Sequence, residues 1–323
     1  MRCLRDQWGL EVVAARYLPV GFGSHHWEAV SNGARFFVTV DLAGQQDARS
    51  AHFDALRAAL ATASALFQSG AEFIVAPMPS THGDVVRHLD CRHALSVYPH
   101  VDGVTRDYGR RLDEGQRHSV IEVLARLHEA PVPPEAQPAT RGLYEEAELT
   151  EGLACLESKW GPGPFGEPGR RLLARHAAVV RQQLDRRREL AGWAADASRW
   201  VVTHGEPHPG NFIETAAGWR LVDWGTAGKA PPERDLWHLD THDGSLEAAY
   251  EQITGIQIQR PLLDLYRLSW HLGDVALFTA RLRKAHDDSE EVHQYWTELQ
   301  TTLTHLRNPL TARPGRGRAT PSR

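Results

Sequence analysis

The chain has 323 residues, 41% of them hydrophobic and 24% charged, with a formal net charge of −5 at pH 7. That length and composition suit one large or two modest globular domains, and the mildly acidic balance speaks against a nucleic-acid partner. No stretch is apolar enough to span a membrane or serve as a signal peptide, and Cys3, Cys91 and Cys155 lie far apart, so a cytoplasmic protein with free thiols is expected.

The first hundred residues read as a small, mainly β lobe. Residues 12–18 form a first strand, and Gly21-Phe22-Gly23-Ser24 a glycine-bearing turn. Backbone amides in such a turn can approach an anion closely, so the turn is either a flap over phosphates or an ordinary hairpin. Residues 27–30 return as a second strand, Ser31-Asn32-Gly33 supplies a turn that tolerates positive φ, and residues 35–41 form a third strand. His25 and His26 are adjacent on a strand and face opposite sides, which makes them poor joint ligands for one metal; either one of them touches phosphate or both are simply polar hairpin residues. The Ala/Leu spacing over 48–67 predicts a helix packed on the sheet. Residues 73–77, 85–89 and 94–98 are further candidates, six segments in all for an expected five-stranded sheet, and 98–103 is expected to connect to a second lobe.

The remainder reads as mainly helical. Val120, Leu124 and Leu127 make one apolar stripe of a helix over 115–129. A proline-rich break follows at 131–138, with further helices over 170–191, 262–284 and 290–306. The Arg/Gly/Pro-rich residues 312–323 are expected to be a disordered tail.

Between these helices lies the most informative stretch. His204-Gly205-Glu206-Pro207-His208-Pro209-Gly210-Asn211 is followed, after a short hairpin, by Leu221-Val222-Asp223-Trp224-Gly225. A carboxylate, a carboxamide and a second carboxylate thereby sit on two loops bracketing a strand pair. Phosphoryl transfer depends mainly on positioning and charge neutralisation, so a base-like group with two magnesium ligands is close to a minimal set. A zinc reading fits poorly, because zinc helices carry His-Glu-x-x-His and this segment holds two prolines and a glycine.

These two segments resemble the catalytic and metal-binding segments of the aminoglycoside phosphotransferase family, kinases of antibiotics and small molecules, with the flavour of its spectinomycin-type members. The family pattern reads His-Gly-Asp-x-His-x-x-Asn, then an apolar strand ending in Asp. His204, Gly205, His208, Asn211 and Asp223 match it, and Pro231-Pro232-Glu233-Arg234-Asp235-Leu236 extends the match into a segment that buttresses the catalytic loop. The resemblance implies an α+β, protein-kinase-like bilobal fold, with a nucleotide-binding lobe over 1–99 and a catalytic and substrate lobe over 100–311. It implies ATP (or GTP) and Mg2+ as cofactors, with Glu206 facing the acceptor hydroxyl and Asn211 and Asp223 on the metal. Gly21, Phe22, Gly23 and Ser24 would cover the phosphates, Thr39 would stand at the phosphate-binding place on the third strand, and Ser96, Val97 and Tyr98 would meet the adenine edge. The substrate would be a small hydroxylated molecule such as an aminocyclitol, and in a resistance setting its phosphate ester would no longer fit its target. Asp240, Asp243, Glu247 and Asp274 are candidates for an acidic wall holding ammonium groups, although scattered acids also make ordinary solvated helix faces. Trp270 is either a core aromatic or a sugar platform.

Two departures from the pattern matter. Glu206 stands where the family has aspartate, and the extra methylene moves the carboxylate by roughly an ångström. Kinase-like folds also use a third-strand lysine paired to a helix glutamate to hold the α and β phosphates. Here Thr39 occupies that place, no lysine precedes Lys159, and Asp47 and Asp54 are the only acids in the helix segment. Arg49 or Arg57 on that helix are possible substitutes, or else ordinary solvent-facing residues. The absence of the ion pair keeps two rival readings open: a kinase-fold binding or regulatory protein without transfer activity, and a biosynthetic enzyme that reuses the cleft.

Overall fold

The computed structural model describes residues 2–20, 24–42, 49–107, 112–139 and 146–307, the side chains of Arg49 and Ser50 excepted. Gly21, Phe22 and Gly23 of the expected flap, Asp47, and the expected tail lie outside the described residues. The described residues divide into two compact units, drawn from Met1–Ala139 with Trp200–Asp235 and from Thr140–Arg199 with Leu236–Gly317. The catalytic segment therefore groups with the N-terminal sheet.

The first unit opens with a short helix, α1 (Arg2–Trp8), then β1 (Val12–Leu18), β2 (Ser24–Ser31) and β3 (Ala34–Leu42). Asn32 and Gly33 take φ of 50° and 77°, the left-handed pair a two-residue hairpin requires. After α2 (Arg49–Gln68) come β4 (Arg87–His88) and β5 (His93–Pro99), and the antiparallel sheet has the order β1-β2-β3-β5-β4. The sheet has the expected five strands, but residues 73–77 are not one of them. Ile74 instead makes an isolated parallel bridge to Leu221, with Val75 N–H donating to the Leu221 carbonyl at 3.0 Å. An apolar run of that length can be buried without a strand partner on both sides, which periodicity alone cannot distinguish.

Cross-strand register fixes what each face of the sheet carries. Trp27, Val38 and Val97 face one way, as do Val40 and Leu95, and α1 closes this side by burying Leu4 and Trp8 against Ala29, Val38, Val40, Leu95 and Val97. Each of those two side chains contributes about 1.5–3 kcal/mol by burial. The opposite face is polar. It sets Ser24 beside Asp41, places His26, Thr39 and Ser96 in one row across three strands, and aligns Glu28, Phe37 and Tyr98 in the next.

The helix α2 buries Leu56, Ala59, Leu60, Ala63 and Leu66, a 3–4 spacing that makes one apolar stripe. It lies against the turn at Trp224–Thr226, and its Phe53 ring stacks on His88 of β4 with centroids 3.8 Å apart. The unit continues through β6 (Val104–Thr105) and α3 (Glu114–Glu129), which starts on an Asp113/Gln116 capping box.

Within the second unit, α4 (Glu146–Ala154) and α5 (Gly166–Ala191) pack on the helix over Arg260–Arg283. Back in the first unit, β7 (Val201–Thr203) precedes the catalytic loop, β8 (Phe212–Thr215) and β9 (Gly218–Leu221) form the hairpin, and β10 (Gly228–Ala230) returns to pair with β7. The short α6 (Glu233–Leu236) follows, and α7 (Ser245–Thr254), α8 (Arg260–Arg283) and α9 (Glu290–His305) complete the chain's helices among the described residues. The fully buried Leu262, Leu263, Leu272, Val275 and Ala276 of α8 make it the core helix of the second unit. None of the described helices is long and apolar enough to cross a membrane.

Candidate active site

The two catalytic segments are tied together by their backbones. The Asn211 side-chain amide donates to the Glu206 carbonyl at 2.8 Å, and Val222 N–H donates to the Asn211 carbonyl at 3.0 Å. The buried His204 imidazole completes the connection. Its Nε2 meets the Val222 carbonyl at 2.9 Å, and its Nδ1 meets Glu206 N–H at 3.2 Å. A carbonyl can only accept and an N–H can only donate, so the ring is neutral with its proton on Nε2. Burial pushes its pKa down, consistent with that state, against the opposing pull of the Asp235 and Asp223 charges. Glu206, Asn211 and the residue before Asp223 are thus locked to one another.

Asp235 holds this loop from behind. Its fully buried carboxylate accepts His204 N–H at 2.7 Å, Gly205 N–H at 2.6 Å and His128 Nε2–H at 3.1 Å. Burial alone would raise its pKa, but the His128 bond and the nearby charges of His128 and Arg234 outweigh it, and the carboxyl titrates below its ordinary value. Gly205 has φ +98°, and a Cβ there would fall 2.3 Å from the Arg234 guanidinium. That guanidinium in turn bonds the Thr203 hydroxyl at 2.8 Å and the Thr226 carbonyl at 3.0 Å. The Pro231–Leu236 segment therefore buttresses the loop, through Asp235 and Arg234. His128 is 107 residues from its partner, and nothing in the sequence pairs them.

Removing this carboxylate strands three buried donors. Asp235→Ala is expected to cost about 3–5 kcal/mol of stability, read as a lowered urea midpoint. Because its folded pKa is depressed, the contribution of Asp235 is full above the unfolded value near 3.8 and fades as pH falls through the lower folded one.

Asp223 follows β9 with φ 67° and ψ 61°, the left-handed region, which aspartate tolerates better than most residues. Its side chain is exposed, and its charge reaches His26, Asp41 and Tyr98 on the polar face of the sheet. Asp41, which accepts the Ser24 hydroxyl at 2.5 Å, is raised in pKa by burial first and by Asp223 second. The polar sheet face and the end of β9 thus border the same space. Asn211 commits its NH2 to the Glu206 carbonyl, which leaves its side-chain oxygen as an acceptor, on a loop bonded to the residue before Asp223. One carboxylate and one amide oxygen, completed by phosphate and water oxygens, is a donor set magnesium accepts.

The remaining expected residues are placed as follows. Thr39 and Ser96 pair across β3 and β5 on the polar face, and Ser96 Oγ lies 3.4 Å from the Tyr98 hydroxyl. The Val97 side chain belongs to the α1-covered core, and its carbonyl accepts Met78 N–H at 2.7 Å, so its contribution to a nucleotide site is through backbone alone. Arg57 pairs with Asp54 at 2.8 Å on the exposed side of α2.

Asp240, Asp243, Glu247, Trp270 and Asp274 belong to the second unit. Asp240 is taken up by Arg267 at 2.7 Å and Arg260 at 3.2 Å, and Arg260 also pairs with Glu247. Burial opposes ionisation of Asp240, yet the His242 N–H and Arg267 bring its pKa below the ordinary value. Asp243 accepts Ser245 N–H at the start of α7 at 2.9 Å, and Trp270 sits 5.9 Å from Trp237 and 5.4 Å from His238.

The sequence matches the phosphotransferase enzyme family, APH, over residues 15–266. It is 30% identical over 254 residues to Protein StrN of Streptomyces griseus, covering 75% of each chain. The fold is similar to that of spectinomycin phosphotransferase APH(9)-Ia in complex with ADP and spectinomycin, with a TM-score of 0.74 at 16% identity, covering 96% of this chain and 97% of that one. It also resembles amicoumacin kinase hAmiN in complex with AMP-PNP, Ca2+ and Ami, with a TM-score of 0.61 at 14% identity, covering 97% and 94%. With a kinase-like fold and the family's match running through both catalytic segments, the chain belongs to the APH phosphotransferase enzyme family.

Proposed function

We propose that this phosphotransferase moves the γ-phosphoryl group of ATP or GTP onto a hydroxyl of a small natural product of the aminocyclitol or aminoglycoside class. The observation that carries the reading is the locked set of Glu206, Asn211 and Val222, followed by Asp223, whose charge reaches the polar side of the sheet. Residues 1–99 would serve mainly the nucleotide and 100–311 catalysis and the substrate, in a cytoplasmic protein.

Glu206 accepts a hydrogen bond from the acceptor hydroxyl, orients its oxygen toward the phosphorus and takes its proton late in the transfer. Asn211 and Asp223 would hold Mg2+, which when bound neutralises charge on the phosphates. The polar row of Thr39 and Ser96 with Tyr98 lines the nucleotide side, and Ser24 ends the flap segment. Asp243 and Asp274 are the acids we assign to ammonium groups on the substrate, with Trp270 as a ring contact. Asp240 and Glu247 act through the arginines they already hold. If the substrate is an antibiotic, the product dianion confers resistance.

The test is a transfer assay with purified protein, ATP or GTP and a panel of aminocyclitols and aminoglycosides, with and without Mg2+. Mg2+-dependent formation of a phosphate monoester on one of them is expected. Thr39 in place of lysine is the specific feature favouring the rival reading. Metal-dependent thermal stabilisation by nucleotide with no turnover across the panel would support a binding protein instead.

A further inference from the structure

The missing third-strand lysine leaves the phosphates without their usual protein cation, and the register of the sheet shows what stands there. His26 of β2 is directly opposite Thr39 of β3 on the polar face, and its Nδ1 lies 3.2 Å from the Thr39 hydroxyl. Its ring stacks on Phe37, with centroids 5.1 Å apart and planes at 28°. These two contacts fix both position and orientation of the imidazole. The ring is half-buried, and the Asp223 charge reaches it, as does that of its neighbour His25. Among the described residues Nε2 has no hydrogen-bond partner. Two arginines of the same unit are committed elsewhere: Arg16, in the next row of the same face, pairs with Glu28 at 2.6 Å, and Arg57 pairs with Asp54.

Resting on the nucleotide-dependent reading above, we infer that His26 is a nucleotide-binding residue that directs an Nε2–H donor at the phosphates, in the place where a third-strand lysine would act, with Thr39 as its positioning partner. A phosphate oxygen can only accept, so the bound ring carries its proton on Nε2. The Thr39 hydroxyl, which can act in either direction, then donates to Nδ1. Threonine at 39 thereby orients the ring through a neutral hydroxyl, where a lysine would bring its own charge to the same place. The exchange of lysine for threonine and the presence of histidine on the adjacent strand become one arrangement rather than a loss.

The experiment is a calorimetric comparison of AMP, ADP and ATP binding, in Mg2+, to the full chain and to His26→Ala, His26→Gln and Thr39→Val. Affinity of the unmodified protein should rise with phosphate number. His26→Ala should weaken ATP by about 10- to 100-fold, the range of one hydrogen bond to a charged group, while AMP changes by less than about threefold and the melting temperature holds. His26→Gln, which keeps an N–H donor, should recover part of the loss, and Thr39→Val should show a smaller loss with the same dependence on phosphate number. Equal weakening of AMP and ATP, or none, would overturn the role of His26. Failure of the unmodified protein to bind any of the three would instead bring down the nucleotide reading itself.

Discussion

Asp223→Asn is expected to slow phosphoryl transfer by about three orders of magnitude or more, the scale of losing a metal-held charge at the transferred group, with the fold intact. The substitution isolates charge because of the backbone at this position. Asp223 sits at φ 67° and ψ 61°, and asparagine tolerates the left-handed region about as well as aspartate. The carboxamide also matches the carboxylate in shape. Asp223→Ala would be less informative, since placing a Cβ-bearing apolar residue there adds about 1–2 kcal/mol of backbone strain. Single-turnover transfer, measured beside circular dichroism and a melting curve, gives the result. Near-native turnover in a folded Asp223→Asn protein would remove the metal role from this residue.

Glu206→Gln should reduce kcat by about 10²- to 10⁴-fold, the usual share of a positioned general base, while nucleotide affinity changes little. The structure gives a reason to expect this separation. Glu206 takes part in the loop through its backbone, donating N–H to His204 and accepting from Asn211, and these two bonds do not depend on the side chain. A fall in nucleotide affinity as large as the fall in rate would mean that the Glu206 carboxylate holds the metal or the loop, and not the acceptor hydroxyl. The extra methylene relative to the family's aspartate is accommodated on a loop whose position is set by Asp235 and His204.

What could be read from the sequence was what local chemistry encodes. The Asn32-Gly33 turn, the apolar stripe of α2 and the long helices α5, α8 and α9 follow from turn geometry and helical spacing. The segments that carry Asn211 and Asp223 were legible because their order along the chain mirrors a loop, a hairpin and a second loop. The rest depends on contacts between distant segments. Helix α1 spans seven residues with two buried side chains, too few for a periodic signal, yet it closes one face of the sheet. Residues 73–77 are apolar enough for a strand, but they meet Leu221 instead of the sheet. His26 looked like a polar hairpin residue until the β2–β3 register set it opposite Thr39. The charge of Asp240 looked available to a substrate until Arg267, 27 positions later, was found at 2.7 Å.

The buried carboxylate of Asp235 has one more consequence. Because it grips the peptide groups of His204 and Gly205 while bonded to a histidine of α3, the loop cannot fray without breaking into the interior of its unit. Loops usually open at far lower cost than the domain that carries them. For this one no separate melting transition is expected: heat inactivation and loss of tertiary structure should trace a single curve, and amide protons at 204 and 205 should exchange as slowly as those of the innermost helices.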